Sequence, residues 1–408
     1  MFRIMELERI LQADDAVIMP MGIVRCKTFS KVYPYMNKYI MERCEWQNSR
    51  DGHVKELLDF KTQITNPYRR CVGGGGRNIN IFFLLAEAMW IATGRKDVEF
   101  LTMFNKQMAK YSDDGKVFHA PYGYRLRHWG VASEEEFANE RVENKGFDQV
   151  ANAVRLLAEN PQTRQVVMEI WNPKFDLGHV TKDLPCNDIV MFKIRDGKLI
   201  TTIGNRSNDL HWGLPTNVFQ FSFLTELMAA SLGVELGTQT HNSQSLHIYE
   251  WNDIAVKMLD WVNTCQKNQT DPSDLYGYYG AEERHMDFNF STDLAVNRFA
   301  EIDYHLNLLI DNLIKYERED KYNDEEIEKI GQFSAFLRDV FDLLITYLVY
   351  KKELVKGDED KNDALRERCI SVIESRAKSN NQVNWDVNRL AINFFAARLS
   401  GDKNYGVL

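Results

Sequence analysis

Apolar and polar positions change their period several times along the chain, and each change marks an element. Leu57-Leu58-Asp59-Phe60-Lys61-Thr62-Gln63-Ile64 alternates enough for a strand, ended by Asn66-Pro67. Ile79 to Thr93 is long, strongly apolar and stopped by Gly94, which predicts a buried helix. Gln165 to Trp171 is strand-like and closed by Asn172-Pro173. Ile189 to Ile194, Asp196-Gly197 and Leu199 to Ile203 predict a hairpin by composition and turn. Val218 to Leu232 predicts a second apolar helix ending near Gly233. Strands mixed with buried helices give an α+β class.

From about Leu294 the period becomes helical throughout. Ile302, Leu306, Leu309, Ile310 and Leu313 share one spacing, and Ile327, Ile330, Phe333, Leu337, Val340, Phe341 and Leu344 share another. Charged linkers are expected at 316–326 and 356–363, with two further short helices around 365–378 and 385–399. These stripes read as packing faces with no chemistry. The expected organisation is an α+β domain over 1–290 and an all-helical C-terminal extension over 291–408, with no internal repeat.

At 408 residues the chain is long enough to bury a large core, and its 44% hydrophobic and 12% aromatic content excludes a disordered protein. A net charge of −9 argues against nucleic acid as the main partner, although one basic pocket for a single phosphate remains compatible. Cys26, Cys44, Cys71, Cys186, Cys265 and Cys369 lack short paired spacings, which points to reduced cytoplasmic thiols rather than disulfides or a metal cluster. No stretch approaches the roughly 20 apolar residues of a membrane span, and Met1 to Glu6 lacks the apolar run of a signal peptide. The expectation is a soluble cytoplasmic protein with no membrane partner.

The chemistry gathers downstream of Cys186, in Leu184-Pro185-Cys186-Asn187. A thiol becomes a nucleophile only when a positive neighbour populates its thiolate. Arg206 and Ser207, in Arg206-Ser207-Asn208-Asp209, can supply that field and hold a phosphate. Asn217 follows Gly213-Leu214-Pro215-Thr216, and His247-Ile248-Tyr249 adds two ring donors, a set suited to a base and a sugar. Alone, a buried cysteine such as Cys186 is more often structural, Glu87 on its apolar helix fits a satisfied core carboxylate, and His247 fits packing; the ordered set reverses those readings. Gly73 to Gly76 lacks the Gly-Lys-Ser/Thr ending of a phosphate loop and reads as a strand-to-helix connection. No second cysteine or His-x-Glu supports a zinc deaminase around Pro185-Cys186.

In this order the residues resemble the core of the thymidylate synthase family over about 15–260. Arg50-Asp51-Gly52 looks like its phosphate-binding loop, Glu87-Ala88-Met89-Trp90 its helix-borne glutamate and tryptophan, Tyr122-Gly123-Tyr124-Arg125 its Tyr-Gly segment. Asn160 to Arg164 followed by Trp171-Asn172-Pro173 resembles the segment that reaches into the partner's site. The resemblance implies a mixed sheet with packed helices and a homodimer in which Arg164 completes the neighbour's site. It implies that Cys186 adds to C6 of a uracil nucleotide so that C5 can attack a one-carbon unit from 5,10-methylenetetrahydrofolate. Arg50, Arg206, Ser207 and the other subunit's copy of Arg164 would hold the 5′-phosphate. Asn217 would meet the O4/N3–H edge, His247 and Tyr249 the sugar, and Glu87 the proton transfers and the folate nitrogen. Tyr122 would assist in removing the C5 proton, Arg206 would lower the pKa of Cys186, and Asp209 would contact the folate.

Several departures bear on the reaction. Synthases carry histidine where this chain has Asn187, and the second arginine of a usual pair is Gln165. The tryptophan that keeps water from the C5-methylene has no counterpart, since that region reads Met108-Ala109-Lys110-Tyr111. The short tail that closes over folate gives way to the helical extension, with only a faint echo in Tyr405-Gly406-Val407-Leu408. Together with the uracil-type Asn217, these features resemble the phage-type deoxyuridylate hydroxymethylases and imply conversion of dUMP to 5-hydroxymethyl-dUMP. Reductive methylation to dTMP is the alternative. A dCMP hydroxymethylase, which would favour aspartate at position 217, and a catalytically silent member are the remaining readings.

Overall fold

The structure, a computed structural model, describes residues 16–19, 22–72, 79–130, 146–272, 285–379 and 386–400. Gly73 to Gly76 and Tyr405 to Leu408 lie outside the described residues.

The alternating segment at Leu57–Ile64 is the end of a longer strand, and it sits near the middle of one mixed sheet. The strands are β1 (Ala16–Met19), β2 (Ile23–Cys26), β3 (Gln47–Ser49), β4 (Gly52–Ile64), β5 (Val167–Glu169), β6 (Asn187–Arg195), β7 (Lys198–Asn205), β8 (Asn208–Asp209) and β9 (Glu235–Tyr249). They lie in the order β1-β2-β4-β9-β7-β6-β5, with β3 on β4 and β8 on β9. β4 and β9 pair antiparallel from Val54 opposite Tyr249 to Ile64 opposite Gln239, whereas β7 and β9 pair parallel. The expected hairpin is present as β6 and β7, its turn made by Asp196 (φ 51°) and Gly197 (φ 70°). A register shift between Asn187 and Ile189 falls just after Cys186, where a bulge re-aims the chain.

The helices are α1 (Phe29–Arg43), α2 (Ile81–Ala92), α3 (Val98–Phe104), α4 (Tyr122–Arg127), α5 (Gln149–Glu159), α6 (Pro173–Asp176), α7 (Leu214–Leu232), α8 (Asp253–Asn268), α9 (Ala295–Glu319), α10 (Asp324–Phe333), α11 (Ala335–Glu353), α12 (Glu359–Ser379) and α13 (Asp386–Leu399). α2 and α7 are the two apolar helices expected from the sequence. Both are buried nearly all round, as helices without a polar face must be. Asn80 caps α2 by accepting from Phe83 N–H at 3.1 Å. α7 begins at Leu214, four residues earlier than its apolar run suggests, so Asn217 lies in its first turn.

The C-terminal helices differ from expectation in their breaks. The linker foreseen at 316–326 is only 320–323, because α9 runs to Glu319 and α10 starts at Asp324. The second apolar stripe is divided at Ser334, whose hydroxyl caps α11 by accepting from Leu337 N–H at 3.1 Å. α9 packs on α5 and α7, and α11 and α13 pack on α2. Phe82 of α2 stacks on Tyr347 at 4.6 Å and meets Phe394 edge-on at 5.2 Å. The helices after 291 therefore share one continuous apolar core with the sheet and back the two helices that carry site residues. Among the described residues no helix is long and apolar enough to cross a membrane.

Candidate active site

A cavity of about 500 Å³ opens where the C-terminal part of β9, the start of β6 and the N-terminus of α7 meet α2 and the Tyr122 turn. Cys186, Glu87, Tyr122, Ser207, Asp209, Asn217, His247 and Tyr249 all line it. The side chains expected to act together are thus brought together from six separate segments. The described residues lining the cavity all fall between Phe83 and Trp251, so the described helices after 291 support the site from behind without lining it.

Cys186 is held on three sides. Its N–H donates to Tyr122 Oη at 3.3 Å, its thiol faces Leu184 O at 3.9 Å, and Arg206 Nη2 lies 4.0 Å from Sγ. Arg206 is fixed by donating from Nε to Pro185 O at 2.8 Å and by lying over the Trp171 ring at 5.4 Å. The guanidinium does pull the thiol downward, as expected, but burial outweighs it and the Asp183, Asp188 and Asp209 carboxylates oppose it, so the net shift is upward. That corrects the expectation of a lowered thiol, because the burial of a residue is not written in its motif.

Tyr122 starts α4, and Gly123 lets that turn approach α2. A Cβ at Gly123 would lie 2.1 Å from Ile91 O, so no larger residue fits. Burial holds the Tyr122 hydroxyl protonated far above its ordinary range. Glu87 is pushed up to about 8 by burial, with a hydrogen bond from Gln220 lowering and the Asp183 carboxylate raising it. Its Oε2 is buried without a hydrogen-bond partner among the described residues. A carboxyl held this way is neutral at pH 7 and placed to exchange a proton with whatever fills the cavity.

Asn217 sits in a line of amides, accepting from Asn187 Nδ2 at 3.0 Å and donating to Asn208 Oδ1 at 3.3 Å. Asp209 Oδ1 accepts from the backbone N–H groups of His211 at 2.5 Å and Trp212 at 2.7 Å, which fixes the carboxylate at the cavity wall. His247 and Tyr249 meet edge-on at 4.9 Å, and burial pushes the Tyr249 phenol up to about 12.

Three expected residues lie outside the cavity lining, Arg206 among them although it borders Cys186. Arg50 is exposed and pairs with Asp51 at 2.9 Å, close enough to Cys186 and Tyr249 to feel their charge. Arg164 is exposed on the segment between α5 and β5. Several residues that motif reading passed over do line the cavity. Asp183 accepts from Ala120 N–H at 2.9 Å, and Trp251 stacks on Tyr249 at 5.0 Å. Gln220 was legible from spacing, since it follows Asn217 by one helical step on the same face. Asp183 and Trp251 carried no such signal.

The wall made by Phe83, Trp90, Ile91, Leu101, Met108 and Trp212 is apolar, while polar groups cluster around Cys186. An apolar wall with a few convergent polar groups is the usual form of a small-molecule site.

A family model described as thymidylate synthase matches residues 31–309. Two similar curated relatives are named deoxyuridylate hydroxymethyltransferase. That of Bacillus phage SP01 is 46% identical over 213 residues, covering 52% of this chain and 54% of the relative. That of Pseudomonas phage M6 is 38% identical over 207 residues, covering 50% and 55%. A relative named thymidylate synthase 1/2, from Encephalitozoon cuniculi, is 36% identical over 128 residues, covering 31% of this chain and 42% of the relative. The matched part of the chain spans about half the length of the phage relatives.

Proposed function

The chain belongs to the thymidylate synthase family, and from that premise we propose that it converts dUMP to 5-hydroxymethyl-dUMP with 5,10-methylenetetrahydrofolate as the one-carbon donor. The observation that carries the choice is the cavity wall ahead of Tyr122. Met108, Lys110 and Tyr111 stand there, and no tryptophan of that segment lines the cavity among the described residues. The phage relatives named for hydroxymethyl transfer support the same reading.

The chemistry proceeds from this chain's own groups. Cys186 Sγ bonds to C6 of the uracil, and the displaced electron pair moves to O4, which makes C5 nucleophilic. When bound, the folate supplies an electrophilic carbon at the formaldehyde level and leaves as tetrahydrofolate. Glu87, neutral near pH 7, exchanges protons at O4 and at the departing nitrogen. The Tyr122 hydroxyl, held at 3.3 Å by Cys186 N–H, assists loss of the C5 proton. Water then adds to the C5 methylene as the Cys186 thiolate leaves C6. The balance is dUMP, methylene donor and water in, hydroxymethyl nucleotide and tetrahydrofolate out, with no change in oxidation level.

Arg206 and Ser207, with Arg50 at the rim, take the 5′-phosphate, while His247 and Tyr249 take the sugar. Asp209 and the apolar wall fit the pterin. Arg164, exposed in one protomer, completes the site of a second in a homodimer. The six cysteines, none of them in a disulfide, suit action in a reducing cytoplasm.

Thymidylate synthesis is the second reading, favoured by Trp90 and Trp212 in the cavity wall and by the relative of that name. In it the folate also gives hydride and leaves as dihydrofolate. Release of tritium from C5 of labelled dUMP tests the adduct common to both. Wild type should release it and Cys186→Ala should not; wild type that releases none is a silent member of the family.

A further inference from the structure

If Asn217 meets the base, as proposed above, the sense in which its amide is held decides which base it accepts. Asn205 Nδ2 donates to Asn187 Oδ1, and Asn187 Nδ2 donates to Asn217 Oδ1 at 3.0 Å. Asn217 Nδ2 donates to Asn208 Oδ1 at 3.3 Å, and Asn208 Nδ2 donates to Ser243 Oγ at 3.0 Å. Four side-chain amides from β7, β6, α7 and β8 thus run in a single donor sense and end on β9. None of the five side chains is more than 6% exposed.

We propose that this relay, with Asn187 as its positioning residue, locks the Asn217 amide so that the site takes uracil and refuses cytosine. Uracil offers an acceptor, O4, beside a donor, N3–H; cytosine offers a donor, N4–H, beside an acceptor, N3. Asn217 can serve one or the other by turning its amide over. Turned alone, its Nδ2 would face Asn187 Nδ2 and its Oδ1 would face Asn208 Oδ1, leaving two buried pairs mismatched. The far end does not fix the sense, because the Ser243 hydroxyl either accepts or donates. At the other end Asn205 Oδ1 has no partner among the described residues, and a turned Asn205 would leave an N–H donor unpaired in that place instead, so the sense is set from the Asn187 side. That gives a physical use to the asparagine that stands after the nucleophile.

The test compares two aspartates. Asn187→Asp keeps the bond from Asn205 but can only accept from Asn217, so Asn217 and Asn208 turn over and Ser243 donates. Asn208→Asp still accepts from Asn217 and from Ser243, so the original sense survives. Dissociation constants for dUMP and for dCMP, each without folate, are measured by calorimetry on the full chain. Asn187→Asp should move the dCMP-to-dUMP ratio toward cytosine by at least about tenfold, the scale of mispaired buried hydrogen bonds. Asn208→Asp, with the same added charge, should weaken both nucleotides and leave the ratio within about twofold. Equal ratios in wild type and a folded Asn187→Asp overturn the relay, as does an equal shift in both variants, which is a charge effect. If Asn187→Asp does not fold, Asn205→Ala carries the test: freed at its head, the relay should let the ratio fall toward one, and an unchanged ratio overturns it. Wild type that binds neither nucleotide defeats the proposed function itself, a different result from dUMP preference that Asn187→Asp leaves intact.

Discussion

Replacing Glu87 with glutamine removes a carboxyl that the fold holds neutral, and the consequence is a pH-dependent gain in stability. The carboxyl's folded value is about 8 against an ordinary 4.5. A raised folded value means that the native state binds the proton more tightly than the unfolded state. The favourable contribution is therefore complete below pH 4.5 and is lost progressively as pH rises toward 8. At 1.36 kcal/mol for each tenfold difference in proton affinity, the full gap is worth about 5 kcal/mol. Water reaching the cavity screens part of it, so about 3–4 kcal/mol is the working figure. Glu87→Gln should match wild type within about 1 kcal/mol at pH 5 and exceed it by about 3 kcal/mol at pH 9. Urea denaturation of both proteins at pH 5, 7 and 9 measures the difference directly. A difference independent of pH would refute the claim that burial, rather than shape, governs this residue.

Other consequences are narrower. Arg206→Ala removes the main group drawing the Cys186 thiol downward, so its alkylation by iodoacetamide at pH 8 should slow about tenfold, and its pH profile should shift upward. In wild type that profile should already centre above the ordinary value of 9.0. Gly123→Ala places a Cβ against the Ile91 backbone, so it should cost about 3 kcal/mol by denaturant titration and weaken dUMP binding as Tyr122 is displaced. Tyr347→Ala, behind the site, should cost about 3–5 kcal/mol and lower the melting temperature, because Phe82 loses its stacking partner.

The parts of the fold that were legible in the sequence are those where one local pattern decides the outcome. α2 and α7 announced themselves by long apolar runs with glycine stops, and the β6–β7 hairpin by Asp196-Gly197 between alternating segments. The start of α7 was missed although Pro215 at the first turn is an ordinary helix opener. Ser334 divided an unbroken stripe because a side-chain cap competed with helical periodicity. At the site, eight of the expected residues line one cavity, since their order along the chain carried the resemblance. What could not be read was anything set by burial across segments. The upward shift of Cys186, the orphan oxygen of Glu87 and the amide line through Asn205, Asn187, Asn217 and Asn208 each depend on neighbours distant in sequence. The packing of the C-terminal helices onto α2 and α7 is of the same kind.

Product analysis tests the central claim most directly. The protein is incubated with dUMP and methylenetetrahydrofolate, and both the nucleotide and the folate products are identified by mass and absorbance. The account predicts 5-hydroxymethyl-dUMP with tetrahydrofolate, because water captures the methylene beside Met108 and Tyr111. Formation of dTMP with stoichiometric dihydrofolate would contradict it.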